Sequence, residues 1–164
     1  MSWRRNLRRI RALPPARRRL AGEAALWLGV LRLAVVTLPF RWVAAVLHLT
    51  PSPASDTALV PHGAEGPGPG KEQDLARAVG WAVCAVGART PWSSTCLVRS
   101  LAGYVMLRRR HLPSTVILGV AKGKAGELAA HSWLLFHDQL VTGGAGHERF
   151  RTIAAYRATA EIGA

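Results

Sequence analysis

Acidic side chains are scarce in this sequence: nine Asp and Glu stand against 22 Lys and Arg, and the 164-residue chain carries a formal net charge of +13. Cysteine is scarcer still. Cys84 and Cys96 are the only two, too few for a disulfide framework, and neither sits in the Cys-x-x-Cys or paired Cys/His spacing of a zinc site. His48, His62, His111, His137 and His147 lack a His-x-x-x-His spacing, so no metal is expected. Gly-x-Gly-x-x-Gly and Gly-x-x-x-x-Gly-Lys-Ser/Thr are both missing, which assigns any ATP use to another protein and leaves no cofactor to expect here. The basic N-terminus runs through Arg19, and no small-residue cleavage signature follows the apolar segment after it, so the chain reads as unexported and cytoplasmic.

What is present is a sufficient core and an uneven charge. Hydrophobic residues make up 49% of the chain, which excludes a wholly disordered basic protein and fits one domain with an appendage. The first twenty residues hold eight arginines (Arg4, Arg5, Arg8, Arg9, Arg11, Arg17, Arg18 and Arg19) and no acid. Such a block is first of all a solvated face, with an acidic partner, lipid or nucleic acid as further options.

Residues 21–49 are strongly apolar, but Glu23, Arg32 and Arg41 interrupt them, Pro39 breaks the helix, and the longest uncharged stretches are eight residues. A membrane span needs roughly 18. The expectation is therefore two helices, over 15–38 and 41–49, packed on the core or on a partner, with no transmembrane span. Residues 50–70 hold five prolines and four glycines without an apolar period, the composition of a loop or linker. The predicted division is a basic arm and apolar helices over 1–49, a linker over 50–71 and a core over 72–164.

Within the core, Leu75, Val79, Ala82, Val83 and Val86 predict a helix over 72–89. Turn and cap residues Pro91, Ser93, Ser94 and Thr95 then precede Leu97, Leu101 and Val105, which predicts a helix from near Ser94 that ends before Pro113. STVILGVAKG and AAHSWLLF read as strands, and HDQ as a tight turn into a third strand at LVTGG. No element is predicted beyond Gly144. The order, helix then three strands, is an α+β core with an antiparallel sheet.

Cys96 falls in the first turn of its helix, where unpaired N–H groups and the helix dipole favour a thiolate. A nucleophile or a packing residue both fit a free cysteine there. Cys84, among valines and alanines in mid-helix, reads as packing. His131 lies inside an apolar strand, where an imidazole needs a hydrogen-bonded partner or a chemical task. A cysteine at a helix start followed by a histidine on a sheet strand is an arrangement in which imidazole can deprotonate thiol.

PWSSTCLVRSLAGYVMLRRRHLPSTVILGVAK followed by AHSW resembles the transglutaminase-like cysteine peptidases of lasso-peptide biosynthesis, in particular the stand-alone peptidase half of the split B protein. Residues 16–47, with Glu23 and Leu38-Pro39-Phe40-Arg41, are similar to the N-terminal helices of that family. The resemblance implies a papain/transglutaminase-like core, with the nucleophile helix packed on a small antiparallel sheet behind N-terminal helices. It further implies removal of the leader from a ribosomally made precursor peptide. A separate leader-recognition protein delivers that substrate, and a separate ATP-dependent lasso cyclase acts on the freed core. Cys96 would attack the scissile carbonyl and His131 would be the base. By analogy with helix-start nucleophiles, the backbone N–H of Cys96 would stabilise the oxyanion, with a second donor from the Trp92–Thr95 loop.

The resemblance leads one to expect an Asp near position 143, where this sequence has Thr142-Gly143-Gly144. Asp138 is the nearest acid to orient His131 and Glu148 a weaker candidate; a backbone carbonyl, a water or no orienter also suits a Cys–His dyad. Ser132 stands where the family usually has Ala, and Leu135 where an acid is common. Trp92 and Trp133 flank the two candidate catalytic residues and either wall a pocket or pack. In a split system the apolar 21–49 region would be a partner face. Two other readings use the same residues: a non-enzymatic binding protein whose arginines contact nucleic acid or anionic membrane, and an acyl transferase in which an amine resolves the thioester.

Overall fold

The structure is a computed structural model that describes residues 14–52, 70–90, 94–123, 126–144 and 146–158. Four α-helices are described: α1 (Pro15–Thr37), α2 (Phe40–Val46), α3 (Lys71–Gly87) and α4 (Cys96–Arg108). Five strands follow or separate them: β1 (Leu49–Ser52), β2 (Thr115–Lys122), β3 (Leu128–Phe136), β4 (Gln139–Thr142) and β5 (Arg151–Ala158). Every recorded pairing is antiparallel, in the order β1-β5-β2-β3-β4. This is the α+β fold with N-terminal helices that the pattern of elements implies.

Proline shapes the start of α1 and the break after it. Pro15 takes the first helical position, where a missing N–H is harmless. Pro39 sits at the N-cap of α2 and cannot continue α1, whose end is marked by Leu38 in extended conformation. The inner face of α1, formed by Leu20, Ala24, Leu28 and Leu31, is buried against α3 and α4. From α3 come Ala76, Val79, Ala82 and Val83; from the sheet come Val116, Leu134 and Phe136. The N-terminal helices thus share one core with the rest of the fold. Glu23 adds a polar tie, accepting from Arg110 through both carboxylate oxygens at 2.6 and 3.2 Å, with Arg109 at 3.4 Å.

Two strands differ from the sequence expectation. The loop predicted from Thr50 begins as β1, an edge strand: Pro51 has no N–H to donate, which a sheet tolerates only at an edge or bulge. Its junction with α2 is held by Leu47, whose carbonyl accepts from Tyr104 Oη at 3.2 Å and Arg108 Nη1 at 2.7 Å. The remaining linker residues, 53–69, lie outside the described residues, as does the basic arm 1–13. β5 was expected nowhere. Its sequence, RTIAAYRA, is rich in alanine, and its one aliphatic β-branched residue, Ile153, faces solvent. Pairing on both sides, with β1 and β2, holds it in place.

The sheet has two unlike faces. Val116, Leu134 and Phe136 face α4 and the helices, whereas Ile117, Trp133, Leu135 and Ala155 form a second cluster on the other face with Leu140 and Phe150. Since β4 is an edge strand and β5 lies beyond β2, the chain must cross the sheet between them. It does so through a 3-10 turn at His147–Arg149, which runs over the Trp133 face.

If α1 is a core element, Leu28→Ala should destabilise the protein by about 2–5 kcal/mol, the usual range for a buried Leu truncation, as read by urea unfolding. A loss under about 1 kcal/mol would show that α1 is peripheral.

Candidate active site

Thr95 starts α4. Its backbone is extended and its Oγ1 accepts from the Val98 N–H at 3.4 Å, so Cys96 takes the first helical position. The approach to that turn is tied to the end of α3, because Ser94 Oγ lies 2.8 Å from Thr90 Oγ1, which donates to the Gly87 carbonyl at 3.1 Å. One turn into α4, Ser100 is fully buried on the sheet. Its Oγ accepts from Ser132 Oγ at 3.2 Å and lies 3.4 Å from Thr142 Oγ1. Three small hydroxyls thereby set the register of the helix on β3 and β4. Further along, Gly103 leaves room for the Leu134 side chain, so helix and strand run in step and Cys96 lies toward the Ala130 end of β3.

His131 is the residue next to Ser132 and pairs with Gly119 of β2. Its Nε2 lies 2.9 Å from the Gly143 carbonyl oxygen. A carbonyl only accepts, so Nε2 carries the proton of this bond and Nδ1 of the neutral ring holds the lone pair. The ring is packed 4.9 Å from that of Phe150 and stacked at 6.2 Å and 27° with Trp133. Gly143 has φ +80, and a Cβ there would come within 2.5 Å of the Ser132 carbonyl oxygen and 2.8 Å of Trp133 Cα. Any L side chain is excluded from this position, Asp included. At the place where an acid was expected, the main chain itself supplies the acceptor for His131.

Asp138 is not brought to His131. It is exposed in the turn between β3 and β4, beyond Phe136, and the five strand steps from His131 to Phe136 already span roughly 17 Å. Glu148 is exposed as well, with its Oε1 3.4 Å from His147 Nδ1. That same nitrogen donates to the Gly144 carbonyl at 2.8 Å. Two histidine rings thus hold consecutive carbonyls, Gly143 and Gly144, and both pack against the Trp133 indole. Trp92 lies outside the described residues, so the Trp92–Thr95 loop expected to help form an oxyanion hole is described only at Ser94 and Thr95. Trp133 is 2% exposed and its Nε1 has no hydrogen-bond partner among the described residues.

Among the described residues no hydrogen bond joins the Cys96 sulfur to the His131 ring. Strand alternation explains why: Ser132 points to α4, and His131 shares the other face with Trp133. Cys96 lies on the α4 side of the sheet and the His131 ring on the other, committed to Gly143, so this structure does not bring the two together. Catalytic hydrogen bonds commonly tighten only around substrate. Ser100, His147 and Phe150 were missed in the sequence. Ser100 is legible only as a polar residue on an apolar helix face, and the other two carry no local signal.

Residues 34–155, well over half of the chain, match the family model of the transglutaminase-like superfamily, and the chain belongs to that superfamily. The superfamily includes cysteine peptidases and is commonly one of cysteine-dependent hydrolases and transferases. No curated protein and no solved structure matches the chain.

The other cysteine is chemically unlike Cys96 in its surroundings. Burial pushes the Cys84 thiol up from its ordinary value, and the Arg99 guanidinium offsets part of that rise; the residue as a whole has exposed surface, but its sulfur is desolvated enough to disfavour the thiolate. A thiol with a raised pKa holds less thiolate near neutrality and reacts more slowly. With limiting iodoacetamide at neutral pH, peptide mass spectrometry should find Cys96 alkylated before Cys84, and His131→Ala should slow only Cys96. Equal rates at both cysteines would remove the case for an activated Cys96.

Proposed function

We propose that this protein is a cysteine peptidase that removes the leader from a ribosomally synthesised lasso-peptide precursor. The observation that supports the reading is Cys96 at the first position of α4, a helix that the Ser100–Ser132 contact seats on the strand that carries His131. The likeness of the PWSSTC and AHSW segments to lasso-peptide leader peptidases supports the substrate class. The chain acts in the cytoplasm with a separate leader-recognition protein, and the ATP-dependent cyclase takes up the freed core peptide.

In the reaction, the His131 ring leaves Gly143 and turns toward α4, the Cys96 thiol passes its proton to it, and the thiolate attacks the scissile carbonyl carbon. The oxyanion so formed is met by the backbone N–H of Cys96, one of the unpaired donors of the helix start. Collapse of the tetrahedral intermediate breaks the C–N bond, and the imidazolium gives its proton to the leaving amine of the core peptide. The leader remains as a thioester on Cys96 until water hydrolyses it.

The test is mass spectrometry of a lasso precursor incubated with the protein and a leader-recognition protein. Cys96→Ala should abolish cleavage, His131→Ala should slow it by about 100-fold or more, and Asp138→Ala should leave it within about twofold of wild type, the effect of an exposed site remote from the chemistry. Cleavage by Cys96→Ala would overturn the reading. An amide-joined product in place of a free leader acid would identify an acyl transferase.

A further inference from the structure

Of the ten large apolar side chains exposed among the described residues, seven lie on α1, α2 and the link between them: Leu26, Val30, Leu33, Val36, Leu38, Trp42 and Val46. Leu26, Val30 and Leu33 recur at helical spacing on the side of α1 opposite Leu20, Ala24, Leu28 and Leu31. Exposure reaches 66% at Leu33 and 70% at Val46. A contiguous apolar face of this kind on a folded protein marks a binding surface.

Its chemistry identifies the occupant. Gly22, Ala25 and Thr37 complete the outward side of α1, and the only hydroxyl among them, Thr37 Oγ1, donates to its own helix at the Leu33 carbonyl, 2.8 Å away. Apart from the Trp42 indole N–H at one end, the stripe itself offers no free side-chain donor, and its polar groups are confined to the arginines around it, whereas protein–protein interfaces are threaded with hydrogen bonds. The surrounding charge has one sign. Arg17, Arg18 and Arg19 are exposed at the start of α1, Arg32 and Arg41 flank the stripe, and no acid occurs between Glu23 and Asp56. Trp42, 57% exposed, has the amphipathic ring that favours the headgroup level.

We propose that the outer face of α1 and α2 seats this protein on an anionic bilayer surface. The apolar stripe enters the boundary between headgroups and acyl chains, while the arginines pair with acidic lipid phosphates. By length and composition alone α1 is long and apolar enough to cross a membrane. It lies on the bilayer and does not span it, because its inner face completes the core with α3 and α4 and Glu23 is committed to Arg109 and Arg110. The inference is independent of the peptidase reading, since no residue of the candidate dyad takes part.

Flotation of the full chain with vesicles tests it directly. Wild type should float with phosphatidylcholine vesicles that contain phosphatidylglycerol, float poorly with phosphatidylcholine alone, and bind less tightly as salt is raised. The double variant L26E/L33E should lose about tenfold or more in vesicle affinity, while Leu128→Glu, at an exposed apolar residue on the β2–β3 hairpin, should float like wild type. Far-UV circular dichroism and thermal melts keep a folding defect distinct from a binding defect. Absence of flotation with the anionic vesicles would overturn the proposal. So would equal binding by L26E/L33E, or vesicle-free light scattering that shows a dimer which the double variant dissociates, since the face would then belong to a second copy. Tight capture by the leader-recognition protein that L26E/L33E abolishes, without vesicle binding, would assign the face to that protein instead.

Discussion

The burial of α4 is the constraint on which the rest of the structure depends. From Val98 to Leu107 nearly every residue of this helix is enclosed, including Ser100 and Tyr104, and it touches α1, α3, β2, β3 and β4. A helix so placed can shift neither along its axis nor about it without opening the core. Apolar packing alone would leave some freedom of register, since leucines and valines fit one another in several offsets. The Ser100, Ser132 and Thr142 hydroxyls remove that freedom, because each is buried and an offset would leave it without a partner. The position of Cys96 relative to β3 is a consequence of that seam, not of anything local to the cysteine.

The other half of the site obeys a different logic. His131 stands on the sheet face away from α4, and its surroundings are built by a crossover that comes from β4 at one edge. Gly143 begins this crossover in a left-handed conformation that brings its carbonyl to the imidazole. A carboxylate in that place would both orient the ring and stabilise an imidazolium; a carbonyl does the first fully and the second weakly. With Nε2 donating to this carbonyl, the neutral ring keeps its lone pair on Nδ1. His147 and the Gly144 carbonyl repeat the same contact one residue on, so the segment is held at two successive carbonyls.

α1 connects the core to the surroundings of the molecule. One side closes the core over α3 and α4 and the other presents leucine and valine outward. Composition explains how a single helix does both: with Glu23 and Arg32 as its only charges after Arg19, it has no polar face to turn to water. Glu23 is spent on Arg109 and Arg110 at the end of α4, which fixes the rotation of α1 about its axis. That rotation in turn decides which apolar residues stay outside.

Periodicity and caps made most elements legible without coordinates. The Thr95 cap before Cys96, the 75-79-82-83-86 spacing of α3 and the β-branched run of β2 are local signals, each with a local cause in hydrogen-bond satisfaction or side-chain alternation. They determined the α+β class and the presence of a cysteine at a helix start. β1 and β5 were not legible, because a Pro-containing edge strand and an Ala-rich strand acquire their conformation from their neighbours. The same holds for the acceptor of His131. A sequence shows side chains, so it directed attention to Asp138, whereas the acceptor is the main chain of Gly143, and every residue has a carbonyl. The sequence by itself determined which residue types are available for chemistry and in what order. Only the tertiary structure decided which of them meet, because strand register, the direction of a crossover and the rotation of a helix are set by contacts between residues far apart in the chain.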